Sequence, residues 1–116
     1  MREALLMKSI VTLIGMLILS TVAWSDDESR YQAVGALGEL NGVALQCRFL
    51  DQVRRMKGAV VAYAPKERSY GLAFDEATNT AFLAFARRND SCPVRAEFEQ
   101  EVGRRIEHMA QIFVIR

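Results

Sequence analysis

The chain has 116 residues, of which 51% are hydrophobic and 25% charged, a composition typical of one globular domain and unlike that of a disordered, collagen-like or polytopic membrane protein. Lys and Arg number 15 against 14 Asp and Glu, so the chain lacks the global positive field that drives sequence-independent binding to nucleic acid. One His and two Cys are too few for a metal cage or a scaffold of several disulfides, and we expect no metal and no other cofactor.

The first 25 residues have the pattern of a secretory signal peptide. Arg2 and Lys8 precede an apolar run from Ile10 to Ala23, and an acidic cluster follows directly at 26–28. A basic start, a short apolar stretch and small residues at the boundary are the features of an exported chain. We therefore predict a periplasmic protein whose single domain covers residues 26–116.

Two limits of this segment stay open. Translation starts at Met1 or Met7, and cleavage follows Ala23 or Ser25. The alternative to cleavage is an inner-membrane anchor formed by residues 9–24. The apolar run is shorter than the roughly 20 residues that a membrane-spanning helix needs, which favours cleavage and a mature protein without a stable membrane span.

Cys47 and Cys92 are the two cysteines of the chain. An even number of cysteines in a small exported protein indicates a disulfide. A redox-active or metal-bound pair is disfavoured, because no Cys-x-x-Cys motif is present. Closing a loop of this length is expected to stabilise the fold by up to about 4 kcal/mol.

The first predicted helix runs from Arg30 to about Cys47, because apolar residues recur every three or four positions and no proline interrupts them. Gly35, Gly38 and Gly42 lie along one side of it. Because glycine has no side chain, this side of the helix predicts the close approach of a neighbouring helix. The glycine spacing matches neither of the common phosphate-binding motifs.

The second predicted helix covers Leu50 to Tyr63, ahead of Pro65, although the run 59–63 also has the character of a strand. The third covers Ser69 to Arg87 and is followed by a polar break at 89–91.

The fourth predicted helix carries the clearest apolar stripe in the chain, formed by Val94, Phe98, Val102, Ile106, Met109 and Phe113. Pro93 is expected in its first turn, with Ser91 or Cys92 as the capping residue. The four helices predict an all-α fold, a small antiparallel bundle with one disulfide, in which short connections place consecutive helices side by side.

The sequence offers little for catalysis. His108 is the one candidate base, and no Gly-x-Ser-x-Gly nucleophile motif is present. The neighbouring carboxylates of Asp75 and Glu76 point about 100° apart on a helix and do not face each other. We therefore predict that the protein is not an enzyme.

Arginines occur in three doublets, and their guanidinium groups suit the carboxylates or phosphates of a partner. The alternative is that they form solvated helix faces. The partner is expected to be another exported protein rather than a nucleic acid, and the oligomeric state is left open. The candidate contact residues are Arg54, Arg55, Arg87, Arg88, Arg104 and Arg105.

The layout of the chain resembles that of small exported, two-cysteine, all-helical periplasmic proteins. One cysteine, in Cys47-Arg48-Phe49-Leu50-Asp51, closes the first helix, and Cys92 precedes a charged last helix. Periplasmic acid-stress chaperones and small helical immunity proteins are similar in this layout. The resemblance implies a helical binding protein of the periplasm and carries over no individual functional residue.

These features lead to two main functional hypotheses and a weaker third. The first is a non-catalytic periplasmic interaction protein of inhibitor, immunity or adaptor type. The second is an acid-activated holdase chaperone, because protonated carboxylates below about pH 4 leave a cationic chain that loosens and exposes apolar faces. The third is an enzyme or ligand carrier with a pocket between the first and third helices, lined by the glycines and by Phe74, Phe82 and Phe85.

Overall fold

A computed structural model describes residues 26–114, which form four α-helices: α1 (Asp26–Gln46), α2 (Leu50–Tyr63), α3 (Arg68–Arg88) and α4 (Arg95–Val114). The predicted all-α fold with four helices and one disulfide is confirmed. The run 59–63, which also had strand character, is helical. The predicted signal peptide and the alternative anchor at 9–24 lie outside the described residues.

α1 begins four residues before the predicted start. Its first turn contains Asp26, Asp27 and Glu28. Acidic side chains at this position interact favourably with the positive end of the helix dipole. The acidic cluster at 26–28 is therefore part of α1.

Two helices end on a residue in the left-handed conformation. Arg48 follows α1 with φ 59°, and Asn89 follows α3 with φ 53°. After each, a backbone N–H returns to the last turn: Phe49 N donates to the Ala44 carbonyl at 2.9 Å, and Asp90 N donates to the Phe85 carbonyl at 3.1 Å. These bonds satisfy carbonyls that a helix end leaves without partners.

α4 begins later than predicted. The first helical bond runs from Phe98 N to the Val94 carbonyl at 3.0 Å, and the helix proper starts at Arg95. Pro93 therefore precedes the helix, and the prediction that Ser91 or Cys92 caps it is wrong. Pro93 still disfavours an earlier start of α4, because proline restricts the residue before it, Cys92, to extended backbone.

The direction of each helix follows from which residues meet. Gly38 of α1 lies against Ala77, and Gly42 lies against Ala81 and Phe82, so α1 and α3 run parallel. α2 and α4 both run opposite to α1. α1 packs against all three other helices, whereas the main partner of α3 is α1 rather than the consecutive α2 or α4.

The tight contact between α1 and α3 depends on two glycines. A Cβ atom placed on Gly38 would lie 2.7 Å from the Phe74 carbonyl oxygen, and one on Gly42 would lie 2.5 Å from the Thr78 carbonyl oxygen. Any larger residue at either position would force the two backbones apart. The glycines, rather than chain order, therefore determine which helix α3 packs against.

The apolar core lies on the opposite side of α1, between it, α2 and α4. α3 contributes two buried residues, Tyr70 and Phe74, both from its first half. The apolar side chains with no exposed surface are Val34, Leu37, Ala44, Met56, Val102 and Met109. None of the helices formed by residues 26–114 has the length and apolar character needed to cross a membrane.

Cys47 and Cys92 are bonded, with their Cα atoms 5.7 Å apart. The bond joins the residue after α1 to the connection that leads into α4. Next to it, the rings of Phe49 and Phe98 lie 5.3 Å apart, so covalent and apolar contacts close the same end of the bundle.

We expect Gly42→Ala to lower the free energy of unfolding by roughly 1–3 kcal/mol, because its methyl group would overlap backbone atoms of α3. Gly35→Ala is the matched control in the same helix, since nothing lies within 4 Å of a Cβ at this position. The control should gain up to roughly 1 kcal/mol from the higher helix propensity of alanine. Urea unfolding followed by circular dichroism measures both, and equal effects would contradict the close contact.

We expect the double substitution Cys47→Ala and Cys92→Ala to lower the free energy of unfolding by about 4 kcal/mol, because the unfolded chain is then no longer restricted by a loop. Denaturant titration of the oxidised protein and the variant gives the difference. A difference below about 1 kcal/mol would show that the bond adds little to a fold held by its core.

Candidate binding groove

A groove of about 670 Å³ runs along one flank of the α1–α3 contact. On α1 it extends from Tyr31 to Val43, a distance of about 18 Å along a helix axis. It exists because α2 and α4 pack on the other side of α1 and leave this flank of the helix pair uncovered.

The floor of the groove consists of small or aliphatic residues. Ala77 and Ala84 come from α3, while Gly35, Leu40 and Val43 come from α1. A floor of this kind lets an apolar helix face approach two backbones closely, which is how amphipathic helices are bound in grooves.

Gly35 lies in the groove and not in the helix contact, so the prediction that it packs against a neighbouring helix is wrong. Nothing lies within 4 Å of a Cβ placed on it. One turn away, the rings of Tyr31 and Tyr70 stack with centroids 4.8 Å apart. Aromatic rings therefore join α1 and α3 at this end, whereas the close backbone contact is made at Gly38 and Gly42.

Each wall of the groove carries a carboxylate, Glu39 on α1 and Glu76 on α3. Both side chains are exposed, and neither makes a hydrogen bond or an ion pair within residues 26–114. Arg88 lines one end of the groove, where its Nε lies 3.1 Å from Asp90 Oδ2. The walls therefore present negative charge that the chain itself does not neutralise.

Several other carboxylates of the chain do meet arginines. Arg95 Nη1 donates to both carboxylate oxygens of Asp51 at 3.0 Å and lies 3.5 Å from Glu99 Oε1. Glu101 accepts bonds from Arg104 Nη2 at 2.6 Å and Arg105 Nε at 2.9 Å. These pairs neutralise much of the surface of α4, in contrast to the groove.

The structure does not bring the six candidate contact arginines together. They lie on three helices, and four of them bind groups of their own chain. Arg104 and Arg105 share Glu101, Arg88 pairs with Asp90, and Arg55 Nη1 donates to the Glu99 carbonyl at 3.3 Å.

Arg54 and Arg87 differ from the other four candidate arginines. Both are exposed, and neither forms an ion pair within the described part of the chain. They lie on α2 and α3 and therefore belong to different faces of the bundle.

A buried polar pair fixes how α1 sits against α3. Asn41 is 1% exposed, and its Nδ2 donates to Thr78 Oγ1 at 3.2 Å. Thr78 in turn donates to the Phe74 carbonyl at 2.7 Å. Asn41 Oδ1 has no partner within residues 26–114. Because a buried amide loses its bond if the helices slide, this pair favours one register of the contact.

An aromatic cluster closes the end of the groove near the start of α1. Tyr70 stacks on Tyr31 and meets Phe113 of α4 edge to face, with ring centroids 5.3 Å apart. Burial raises the pKa of the Tyr70 hydroxyl, and the neighbouring Tyr31 raises it further. Tyr70 is therefore neutral across the physiological range and acts as a packing residue.

The structure gives His108 no catalytic surroundings. Its side chain is exposed on α4 and makes no hydrogen bond or ion pair with residues 26–114. Asp75 and Glu76 are both exposed on α3. Over the same described range, no three His, Cys, Asp or Glu side chains form a group that could hold a metal ion.

The third hypothesis placed a pocket between the first and third helices, and the groove lies there, but of the predicted lining residues only Gly35 is part of it. Phe74 is buried in the core, and Phe82 lines a second depression of about 520 Å³, which shares Glu76 with the groove. Sequence reasoning missed Glu39, Leu40 and Ala84. Their helical spacing alone does not tell which side of α1 a third helix will leave open.

Comparison with protein-family models, with curated proteins and with solved structures found no match for this chain.

Acid is expected to destabilise the fold partly through Asp51. Hydrogen bonds from Gln52 and Arg95 hold the pKa of the Asp51 carboxyl below its ordinary value of 3.8. The folded state therefore binds this proton less tightly than the unfolded chain, so the contribution to stability is complete above that ordinary value and is lost as the pH falls below it. We expect Asp51→Asn to melt at a lower temperature than the unmodified protein at pH 7, and the two melting temperatures to converge near pH 2.

Melting curves between pH 7 and pH 2 test this expectation, with Asp75→Asn as the control. Asp75 is exposed and has no partner within residues 26–114, so this variant should follow the unmodified protein at every pH. A constant difference between Asp51→Asn and the unmodified protein down to pH 2 would contradict a role for the ionised carboxylate.

Proposed function

We propose that the protein is a non-catalytic interaction protein of the periplasm, of inhibitor, immunity or adaptor type, which binds a polypeptide partner through the groove between α1 and α3. The observation that carries the proposal is the combination of an apolar floor with one unpaired carboxylate on each wall. A partner helix with an apolar face and flanking Lys or Arg side chains fits both features.

The rest of the bundle suits the role of a rigid scaffold. The disulfide joins α1 to the connection before α4, and the Asp51–Arg95 pair joins α2 to α4. A binding surface held in this way is ordered before its partner arrives, and preorganisation lowers the entropic cost of association.

Position-specific crosslinking in the native compartment tests the proposal. Thr80 is exposed and lines the groove, so a photoreactive amino acid there should capture a partner polypeptide. The matched control places the same group at Glu107, an exposed position on α4. We expect a product at position 80 that is absent at position 107.

The same capture should fall at least fivefold in the charge variant Glu39→Lys, Glu76→Lys. Two positive walls repel a cationic helix that two negative walls attract. Equal capture at both positions, or capture that the charge variant leaves unchanged, would contradict binding in the groove.

An acid-activated holdase is the second candidate, and one contact favours it. The Arg95 guanidinium lies 4.8 Å from the centroid of the Phe49 ring while it pairs with Asp51, so one arginine both links α4 to α2 and covers the ring that precedes α2. Protonation of Asp51 removes the ion pair and weakens the cover over Phe49, which packs against Phe98. Exposed apolar surface of that kind binds unfolded clients.

Light scattering of an aggregating client protein tests the holdase at pH 2–3 and at pH 7. We expect suppression in acid alone, and the variant Asp51→Asn should shift its onset to higher pH because the ion pair is already absent. No suppression at pH 2–3 would exclude this function.

A further inference from the structure

The face of α2 that points away from the core carries a regular stripe. Leu50, Arg54, Lys57 and Val61 follow one another at intervals of four, three and four residues, which places them on one side of a helix. All four are exposed, with Leu50 at 51% and Val61 at 73%. We call these four residues the outer stripe of α2.

The two cations of the outer stripe are not neutralised by the chain. Neither Arg54 nor Lys57 makes an ion pair or hydrogen bond within residues 26–114. The stripe therefore has apolar side chains at its ends and, between them, two positive charges that residues 26–114 do not neutralise.

The groove and the outer stripe are complementary in charge and in length. The groove has Glu39 and Glu76 on its two walls and extends about 18 Å along α1. The stripe has Arg54 and Lys57 and extends about 17 Å from Leu50 to Val61. Side chains three residues apart on a helix lie on one face, so two cations at that spacing can reach one carboxylate each.

A molecule cannot use its own stripe to fill its own groove. The inner side of α2, with Val53 and Met56, is buried in the core, so the outer stripe faces away from α1. The complementary surfaces must therefore come from two different molecules.

We propose that the groove of one molecule binds the outer stripe of α2 in a second copy. The inference goes beyond the proposed function and rests on it only in using the same groove, which self-association would cover until a partner displaces it. The contact is heterologous: each copy uses its groove for one neighbour and its stripe for another. Such contacts extend into chains or close into rings, and an area as small as one groove predicts weak, concentration-dependent association.

Sedimentation velocity on the disulfide-bonded protein tests the proposal. The weight-average mass should rise at least 1.5-fold between about 10 μM and about 1 mM protein. Raising the salt concentration from about 0.05 M to 0.5 M should reduce that rise, because exposed charge pairs are screened.

Two charge-reversed variants then identify the surfaces. The groove variant is Glu39→Lys, Glu76→Lys, and the stripe variant is Arg54→Glu, Lys57→Glu. Each should remain monomeric alone. An equimolar mixture should associate again, because the unchanged groove of the stripe variant meets the unchanged stripe of the groove variant, and the two reversed surfaces are also opposite in charge.

The control variant Asp75→Lys, Glu107→Lys makes the same change in net charge as the groove variant, at exposed positions outside both surfaces. It should associate as the unmodified protein does. None of the substituted side chains makes a hydrogen bond or an ion pair within residues 26–114, so all variants are expected to fold. Circular dichroism checks this.

Three results would overturn the proposal: a monomer at every concentration, variants that still associate alone, or a mixture that stays monomeric. The second would follow if the association were symmetric and used one surface twice, because one of the variants keeps that surface intact. A monomeric protein whose position-80 probe captures a different polypeptide would overturn self-association and leave the proposed function standing. Without such capture, both would fail.

Discussion

The contact between α1 and α3 determines the arrangement of the rest of the molecule. Gly38 and Gly42 bring two parallel helices so close that their backbones touch, and Asn41 and Thr78 fix the register between them. A pair this close has no room for a side chain at positions 38 and 42. The apolar core is consequently displaced to the other side of α1, where α2 and α4 run antiparallel to it.

This displacement explains why the groove exists. In a bundle whose consecutive helices pack side by side, α3 would be covered by α2 and α4. Here α3 meets α4 through Tyr70 and Phe113 near one end and otherwise packs on α1. The flanks of the α1–α3 pair remain open along most of their length. A surface suited to binding is therefore a direct consequence of two residues without side chains.

Much of the fold is predictable because it depends on local patterns. The apolar period located all four helices, and Pro65 marked the end of α2 correctly because proline disfavours helical backbone at the residue before it. The pairing of the two cysteines followed from their even number and from the predicted export of the chain. The start of α1 was missed because its acidic first turn has no apolar residue, although the helix dipole favours this composition.

The features that sequence reasoning missed depend on residues distant in the chain. Asp51 meets Arg95, and Glu39 shares a groove with Glu76, and no local spacing links either pair. The arginine doublets illustrate the same limit, since adjacent arginines look alike in sequence. In the structure, Arg55 contacts α4, whereas Arg54 makes no ion pair or hydrogen bond within residues 26–114, because successive residues of a helix point about 100° apart.

The groove differs from the surface of α4 in how its charges are distributed. A chain with nearly equal numbers of acidic and basic residues has no net field to attract a partner from a distance, so recognition depends on where individual charges are left unpaired. On α4, Glu101 is shared by two arginines, and that surface is close to neutral. Across the groove, two carboxylates flank an apolar floor, and on the far side of α2 two cations lie between apolar residues. In the proposed complexes, ionic contacts at such exposed sites would add little affinity but would select orientation and partner, while the apolar floor would supply the binding energy. Specificity would then come from charge, and affinity from the close approach that small residues permit.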